Sequence, residues 1–199
     1  MKRASYERPY SIHPSSIILI LVLLGITALF GALSFAYMYT RIDRGMSGIK
    51  LPWIFIISSF ILFASSVFIH LCRKAFTSRD EKRMIFYGAL SLVTVVLFLI
   101  LQGAGWNHLF TRQITPSSGT AFGYLFAISI LHFLHVLAGI PFLVRILWPL
   151  YLAYKDGTSS LYFLDQHHAR KLKHTSWYWH FIDGIWIYLV IFFLINGMI

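Results

Sequence analysis

The sequence predicts an all-α, polytopic membrane protein with five transmembrane helices, and its composition and the length of its apolar segments support this class. Of its 199 residues, 58% are hydrophobic and 12% are charged, and the mean hydropathy is +0.70. Soluble domains carry about 25% charged residues, so the composition excludes an ordinary soluble protein. A chain of this length is expected to form a single membrane domain over residues 1–199.

Five apolar segments are long enough to cross a hydrocarbon core, which takes about 20 residues of helix. Their approximate bounds are 16–40, 52–72, 84–106, 119–148 and 177–199. The first segment is too long for the core of a signal peptide and is expected to remain as a helix. Pro141 and Pro149 predict a kink or an interfacial end in the fourth segment.

The positions of the basic residues predict the orientation. Thirteen of the 17 lysines and arginines lie on the side of the N-terminus, and four lie on the other side. The positive-inside rule then places the N-terminus in the cytoplasm and the C-terminus outside. It also accounts for the net charge of +10 without a nucleic-acid partner. The segment 150–176 is predicted to be the longest connection.

Ionisable residues inside the last apolar segment identify a candidate site. Trp179, Asp183 and Trp186 fall on one helical face, and His180 precedes Asp183 by three residues. An ionisable side chain in a membrane helix usually faces a protein partner or a polar cavity. A partner for Asp183 is therefore expected elsewhere in the chain or in another chain.

The fourth segment supplies candidate partners, because His132, His135 and Gly139 lie on one helical face. Helical rise places both histidines at about the depth of Asp183 in an antiparallel neighbour. A hydrogen-bonded structural layer of His132, His135, His180 and Asp183 is favoured, and a proton relay or a haem or metal site are the alternatives. Two histidines three residues apart on one helix cannot bind opposite faces of one haem, and zinc takes three or four protein ligands. No metal site and no catalytic residue is predicted.

Two motifs resemble a known family. The stretch Trp179–Trp186, W-H-F-I-D-G-I-W, resembles the W-H-F-(V/I)-D-x-(V/I)-W signature in the last helix of subunit III of haem–copper cytochrome oxidases. The stretch His132–Gly139 resembles that family's H-G-x-H-V-x-x-G. Weaker matches are Phe30–Tyr37 with F-G-G-L-F-A-A-Y, and Gln102 and Trp106 with Q-x-x-E-W. Two glutamates of the family pattern are absent. Ile26 stands in place of the glutamate that precedes the F-G-G-L stretch, and Gly105 in place of the glutamate of Q-x-x-E-W. The roles of those carboxylates therefore do not carry over.

The resemblance implies a non-catalytic subunit III, of the short five-helix form, in a proton-pumping cytochrome c oxidase of a bacterial cytoplasmic (inner) membrane. It implies that haem and copper belong to the partner subunits I and II, and that this chain holds neither. It further implies a phospholipid-binding cleft, and Gly139, Trp179 and Trp186 are candidates for helix packing or for lining that cleft. Three alternatives remain at this stage: subunit III of a quinol oxidase or a nitric oxide reductase accessory subunit, a haem b membrane cytochrome, and a small transporter.

Overall fold

The computed structural model describes residues 13–46, 48–158, 162–163 and 165–198, and it confirms the predicted all-α fold. Within these ranges the chain contains no strand. Each of five helices is long and apolar enough to cross a membrane. Their bounds are Pro14–Asp43 (α1), Trp53–Thr77 (α2), Glu81–Thr111 (α3), Thr120–Lys155 (α4) and Gln166–Met198 (α5).

The predicted start of the last helix, near residue 177, is wrong. Helix α5 begins at Gln166 and α4 continues to Lys155, so most of the predicted connection 150–176 is helical. Hydropathy does not detect this extension because residues 166–176 are largely polar. A capping arrangement stabilises its first turn: Asp165 accepts the backbone N–H of His167 at 2.8 Å, and its second oxygen lies 2.9 Å from His168 Nδ1.

Helix α4 also differs from its predicted end. It passes through Pro141 and Pro149 and ends at Lys155, so Pro149 does not terminate it. A proline removes one backbone donor from a helix, and packing against neighbouring helices offsets such losses in membrane bundles. Here α4 packs along α3 and α5.

Helices α4 and α5 each pack against three other helices, α4 against α1, α3 and α5, and α5 against α1, α2 and α4. Helix α2 in turn lies along α3, with which it forms the most extensive pair. Helix α1 turns one face inward, formed by Ile26, Phe30, Ser34 and Tyr37 at spacings of four, four and three residues. Residues of α5 can therefore contact three different helices, and this brings the candidate residues together.

Candidate functional site

His132 lies at the centre of the interior and is fully buried. Its Nε2–H donates to the backbone carbonyl of Ile182 at 3.2 Å, because a carbonyl oxygen can only accept. Its ring centroid lies 4.7 Å from that of Trp186 and 5.8 Å from that of Phe98. Its Nδ1 has no hydrogen-bond partner among the described residues. Aromatic packing and one interhelical hydrogen bond thus fix this ring.

His135 contributes its backbone to the contact between α4 and α5. Its Nδ1–H donates to the carbonyl of Leu131 in its own helix at 2.7 Å. The backbone carbonyl of His135 accepts the Tyr178 hydroxyl at 2.7 Å. The two histidines therefore link α4 to α5 in different ways: His132 through its ring, and His135 through its backbone carbonyl.

Gly139 of α4 lies against two aromatic rings of α5. A Cβ atom at this position would lie 3.0 Å from Cε1 of Tyr178 and 3.1 Å from Cζ2 of Trp179. Trp179 is fully buried, and its indole N–H has no partner in the described part of the chain. Gly139 and Trp179 thus form one packed contact.

This contact predicts a cost for Gly139→Ala. The added methyl group must displace two buried rings, so we expect the helix bundle to lose about 1–2 kcal/mol of unfolding free energy. Thermal or denaturant unfolding of the purified chain in mild detergent measures this change. Gly103→Ala is the matched control, because a Cβ there meets open space, and we expect it to be neutral or slightly stabilising. Equal stability of the two variants would contradict the close contact.

Trp186 connects α5 to two further helices. Its indole N–H donates to the hydroxyl of Ser59 on α2 at 3.0 Å. Its ring lies 6.0 Å from Phe55 of α2 and 5.5 Å from Phe98 of α3, centroid to centroid. With His132 on α4, Trp186 is therefore in contact with three neighbouring helices.

The partner predicted for Asp183 within the histidine layer is not found. Asp183 is 4% exposed, and neither carboxylate oxygen has a hydrogen-bond partner among the described residues. His180 instead shares a hydrogen bond with Ser66 of α2 through Nδ1, and its side chain is exposed. Three residues of α-helix span about 300°, which is about 60° short of a full turn. His180 and Asp183 therefore point in different directions, so that His180 lies at the surface and Asp183 lies inside. The expected layer is therefore divided between the interior and the surface.

Sequence reasoning missed the polar residues that bond to the motif. Ser59 and Ser66 on α2 provide the hydroxyls for Trp186 and His180. Ser129 of α4 accepts the indole N–H of Trp106 at 3.1 Å. The signal was present, because α2 carries pairs of serines seven residues apart, and hydroxyls often bond across membrane helices.

The two positions at which the family pattern has glutamate are apolar and packed. Ile26 is 6% exposed and belongs to the core. At Gly105, a Cβ would lie 3.1 Å from Cζ of Phe55, so the phenyl ring occupies the space beside this glycine. Fully buried Gln102 lies one turn before it, and neither of its amide atoms has a partner in the described chain.

A cleft of about 420 Å³ opens between α1, α4 and α5, and we call it the basic cleft. Ile18, Val22, Phe142 and Ile146 contribute to its apolar wall. None of its described lining residues is a carboxylate. Six basic side chains also line it: His13, Arg145, His167, Arg170, Lys171 and His174. An apolar wall beside cationic groups is the arrangement that suits an anionic amphiphile.

Comparisons with known proteins agree with this arrangement of motifs. A profile of the family described as "Cytochrome c oxidase subunit III" matches residues 19–198. The "Probable quinol oxidase subunit 3" of Staphylococcus epidermidis is 29% identical over 181 residues, which cover 86% of this chain and 84% of that protein. The "Cytochrome bo(3) ubiquinol oxidase subunit 3" of Buchnera aphidicola is 27% identical over 75% of this chain and 74% of its own length.

Relatives named as cytochrome c oxidase subunits match as well. The "Cytochrome c oxidase subunit 3" of Sus scrofa is 28% identical over 136 residues, which cover 68% of this chain. This chain spans about half of that relative, because the match covers 48% of its length. Since the family profile extends over nearly the whole chain, this protein belongs to the subunit III family of haem–copper oxidases.

Proposed function

We propose that this chain is the non-catalytic subunit III of a proton-pumping cytochrome c oxidase in a bacterial cytoplasmic (inner) membrane, where it packs against the catalytic subunits. The family profile over residues 19–198 carries the proposal. The hydrogen bonds of the motif residues support a structural role. Each of the three histidines turns one ring nitrogen to a different oxygen, on Ile182, Leu131 or Ser66. This dispersed arrangement does not resemble a converging ligand set.

Quinol is the second candidate donor, and one observation favours it. A relative matched over 84% of its own length is named "Probable quinol oxidase subunit 3". Haem and copper are expected in the partner subunits, so we expect those subunits to determine the electron donor. The donor is therefore a property of the assembled oxidase and is tested there.

Purification of the tagged chain in mild detergent tests both candidates. We expect a large haem-bearing partner to co-purify, and we expect the complex to consume oxygen with reduced cytochrome c. Oxygen consumption with quinol alone would replace the first candidate by the second. A chain that purified alone would contradict both, and a Soret band from the chain alone would point to the haem b alternative.

We further propose that the basic cleft binds an anionic phospholipid. Arg145 and Arg170 would contact the phosphate, while Ile18, Val22 and Phe142 would contact the acyl chains. Lipid phosphates attract basic groups at the membrane surface, with about 1 kcal/mol per lysine or arginine. The His174 ring of α5, hydrogen-bonded to Ser16 of α1 at 2.9 Å, joins these two helices beside the cleft.

The lipid proposal predicts a specific loss of bound lipid. Arg145→Gln with Arg170→Gln is expected to lower the anionic phospholipid retained per purified complex about tenfold or more, since two cationic contacts are lost. Mass spectrometry of extracted lipids measures this quantity. Lys155→Gln is the control, because Lys155 is basic, exposed and outside the cleft. Equal lipid content in both variants would refute the assignment.

A further inference from the structure

The basic cleft contains two kinds of cationic group. Half of its basic side chains are arginine or lysine, which stay charged at neutral pH. The other half are histidines, a residue type that gains or loses a proton close to neutral pH: His13 before α1, and His167 and His174 of α5. The charge of the cleft therefore depends on pH, and the three histidines differ in what a proton would do to their contacts.

His13 caps the first turn of α1 in a way that requires a neutral ring. Its Nδ1 accepts the backbone N–H of Ser15 at 3.3 Å and lies 2.8 Å from the Ser15 hydroxyl oxygen. An imidazolium carries a hydrogen on both ring nitrogens and therefore has no acceptor left. A proton on His13 would break this cap.

His167 has a counter-charge from the protein itself. Asp165, next to the start of α5, accepts the backbone N–H of His167 at 2.8 Å. Its carboxylate is also close enough to act on the His167 side chain electrostatically. A proton on His167 is therefore compensated without a ligand, and an anion in the cleft adds comparatively little.

His174 can take up a proton and keep its contact with α1. Its Nε2 lies 2.9 Å from the hydroxyl oxygen of Ser16. A neutral ring can accept the serine hydroxyl there, and an imidazolium can donate to the same oxygen. Its Nδ1 makes no hydrogen bond within the described ranges, so it is free to hold the additional proton. Of the three histidines, His174 is therefore the one that a proton disturbs least.

The charged groups around the His174 ring are cationic. Arg170 and Lys173 of α5, and His13 from the side of α1, are close enough to act on the ring electrostatically, and Arg145 of α4 lines the same cleft. The remaining titratable residues that line the cleft are His167, Lys171 and Tyr178. No carboxylate is among the described lining residues. In an empty cleft these cations oppose a further positive charge, and a bound phosphate would offset that opposition.

We infer that the basic cleft binds its anionic phospholipid together with one proton, which His174 takes up from the bulk solvent. The inference rests on the proposed lipid binding of the cleft and adds its regulation. By linkage, a phosphate that favours the charged ring binds more tightly to a chain whose ring is already charged. Lipid retention therefore rises as the pH falls through the range in which histidines titrate, and pH controls the occupancy of the cleft.

Lipid retention at two pH values tests the coupling. The purified complex is equilibrated with phosphatidylglycerol in mild detergent at about pH 8 and at about pH 5.5, and mass spectrometry measures the lipid that stays bound. Phosphatidylglycerol keeps one negative charge over this range, so a change reports on the protein. We expect about fivefold more bound lipid at the lower pH, the effect of one additional cationic contact. Zwitterionic phosphatidylcholine is expected to show no such rise, and equal retention of phosphatidylglycerol at both pH values would overturn the inference.

Substitutions of single histidines test which ring takes up the proton. His174→Gln keeps a polar group beside Ser16 but cannot be protonated, so the ratio of bound lipid between the two pH values is expected to fall from about five to about one. His70→Gln is the control, because His70 is exposed on α2 and lies outside the cleft, and it is expected to keep the rise. His167→Gln is also expected to keep it, since Asp165 already compensates that ring. A rise that persisted in His174→Gln, or that disappeared in His167→Gln, would overturn the assignment.

Proton uptake measures the coupling directly. Phosphatidylglycerol added to the lipid-depleted complex in weakly buffered solution near neutral pH is expected to remove protons from the solution, and the His174→Gln complex is expected to remove fewer. Equal uptake by the two complexes would overturn the inference. If the complex retains no more phosphatidylglycerol than the Arg145→Gln, Arg170→Gln double variant at either pH, the proposed lipid binding fails and the inference fails with it. If retention depends on the two arginines but not on pH, the inference alone fails.

Discussion

Replacement of Trp186 by alanine is expected to destabilise the helix bundle by about 3–5 kcal/mol, the range for a buried tryptophan. Trp186 is 3% exposed, and its ring packs against Phe55, Phe98 and His132. Its truncation leaves a cavity between four helices and leaves the Ser59 hydroxyl without the indole donor. Such a loss approaches the lower end of the unfolding free energy of a typical domain, which is about 5–15 kcal/mol.

Unfolding of the purified chain in mild detergent measures this effect. Trp148→Ala is the control, because Trp148 is 62% exposed and its loss is expected to stay within about 0.5 kcal/mol. Trp186→Phe is expected to give an intermediate loss, since it keeps an aromatic ring but removes the hydrogen bond to Ser59. A change of less than about 1 kcal/mol for Trp186→Ala would show that the four-helix contact contributes little.

Hydropathy was sufficient to predict the number of spans but not the length of the helices. The run from Ile187 to the end of α5 carries no charge and is mostly apolar, so its assignment needed no tertiary information. The first eleven residues of α5 are largely polar and are helical through Asp165 capping and packing. Leu172, in this extension, is buried beside Tyr162. Contacts between distant parts of the chain decide such extensions, and a sequence pattern does not contain them.

The position of the candidate residues along their helices could be predicted from the sequence, but the direction in which each side chain faces could not. Helical rise correctly brought His132 close to the segment of α5 around Ile182 and Trp186. Whether a side chain faces inward depends on helix phase, and an error of 60° separates buried Asp183 from exposed His180. Ser59 and Ser66 of α2, which individually carry no distinctive signal, hydrogen-bond to Trp186 and His180 of α5.

Substitution of Asp183 is expected to have opposite effects on the isolated chain and on the assembled oxidase. In the isolated chain, Asp183 is buried and has no hydrogen-bond partner among the described residues. An unpartnered buried polar group costs about 1–3 kcal/mol, so Asp183→Leu is expected to raise the unfolding free energy by a similar amount. Asp43→Asn at the exposed end of α1 is the control, and it is expected to be neutral.

In the assembled oxidase, the same Asp183→Leu variant is expected to lose activity sooner during prolonged turnover. Polar groups that lower stability without a structural partner are typical of functional positions, and membrane-buried carboxyls often mark such positions. Unfolding in detergent and oxygen consumption over many turnovers measure the two effects. A less stable isolated chain would mean that the carboxyl has a stabilising partner after all. A stabilised chain with undiminished turnover would leave Asp183 without a function in the complex.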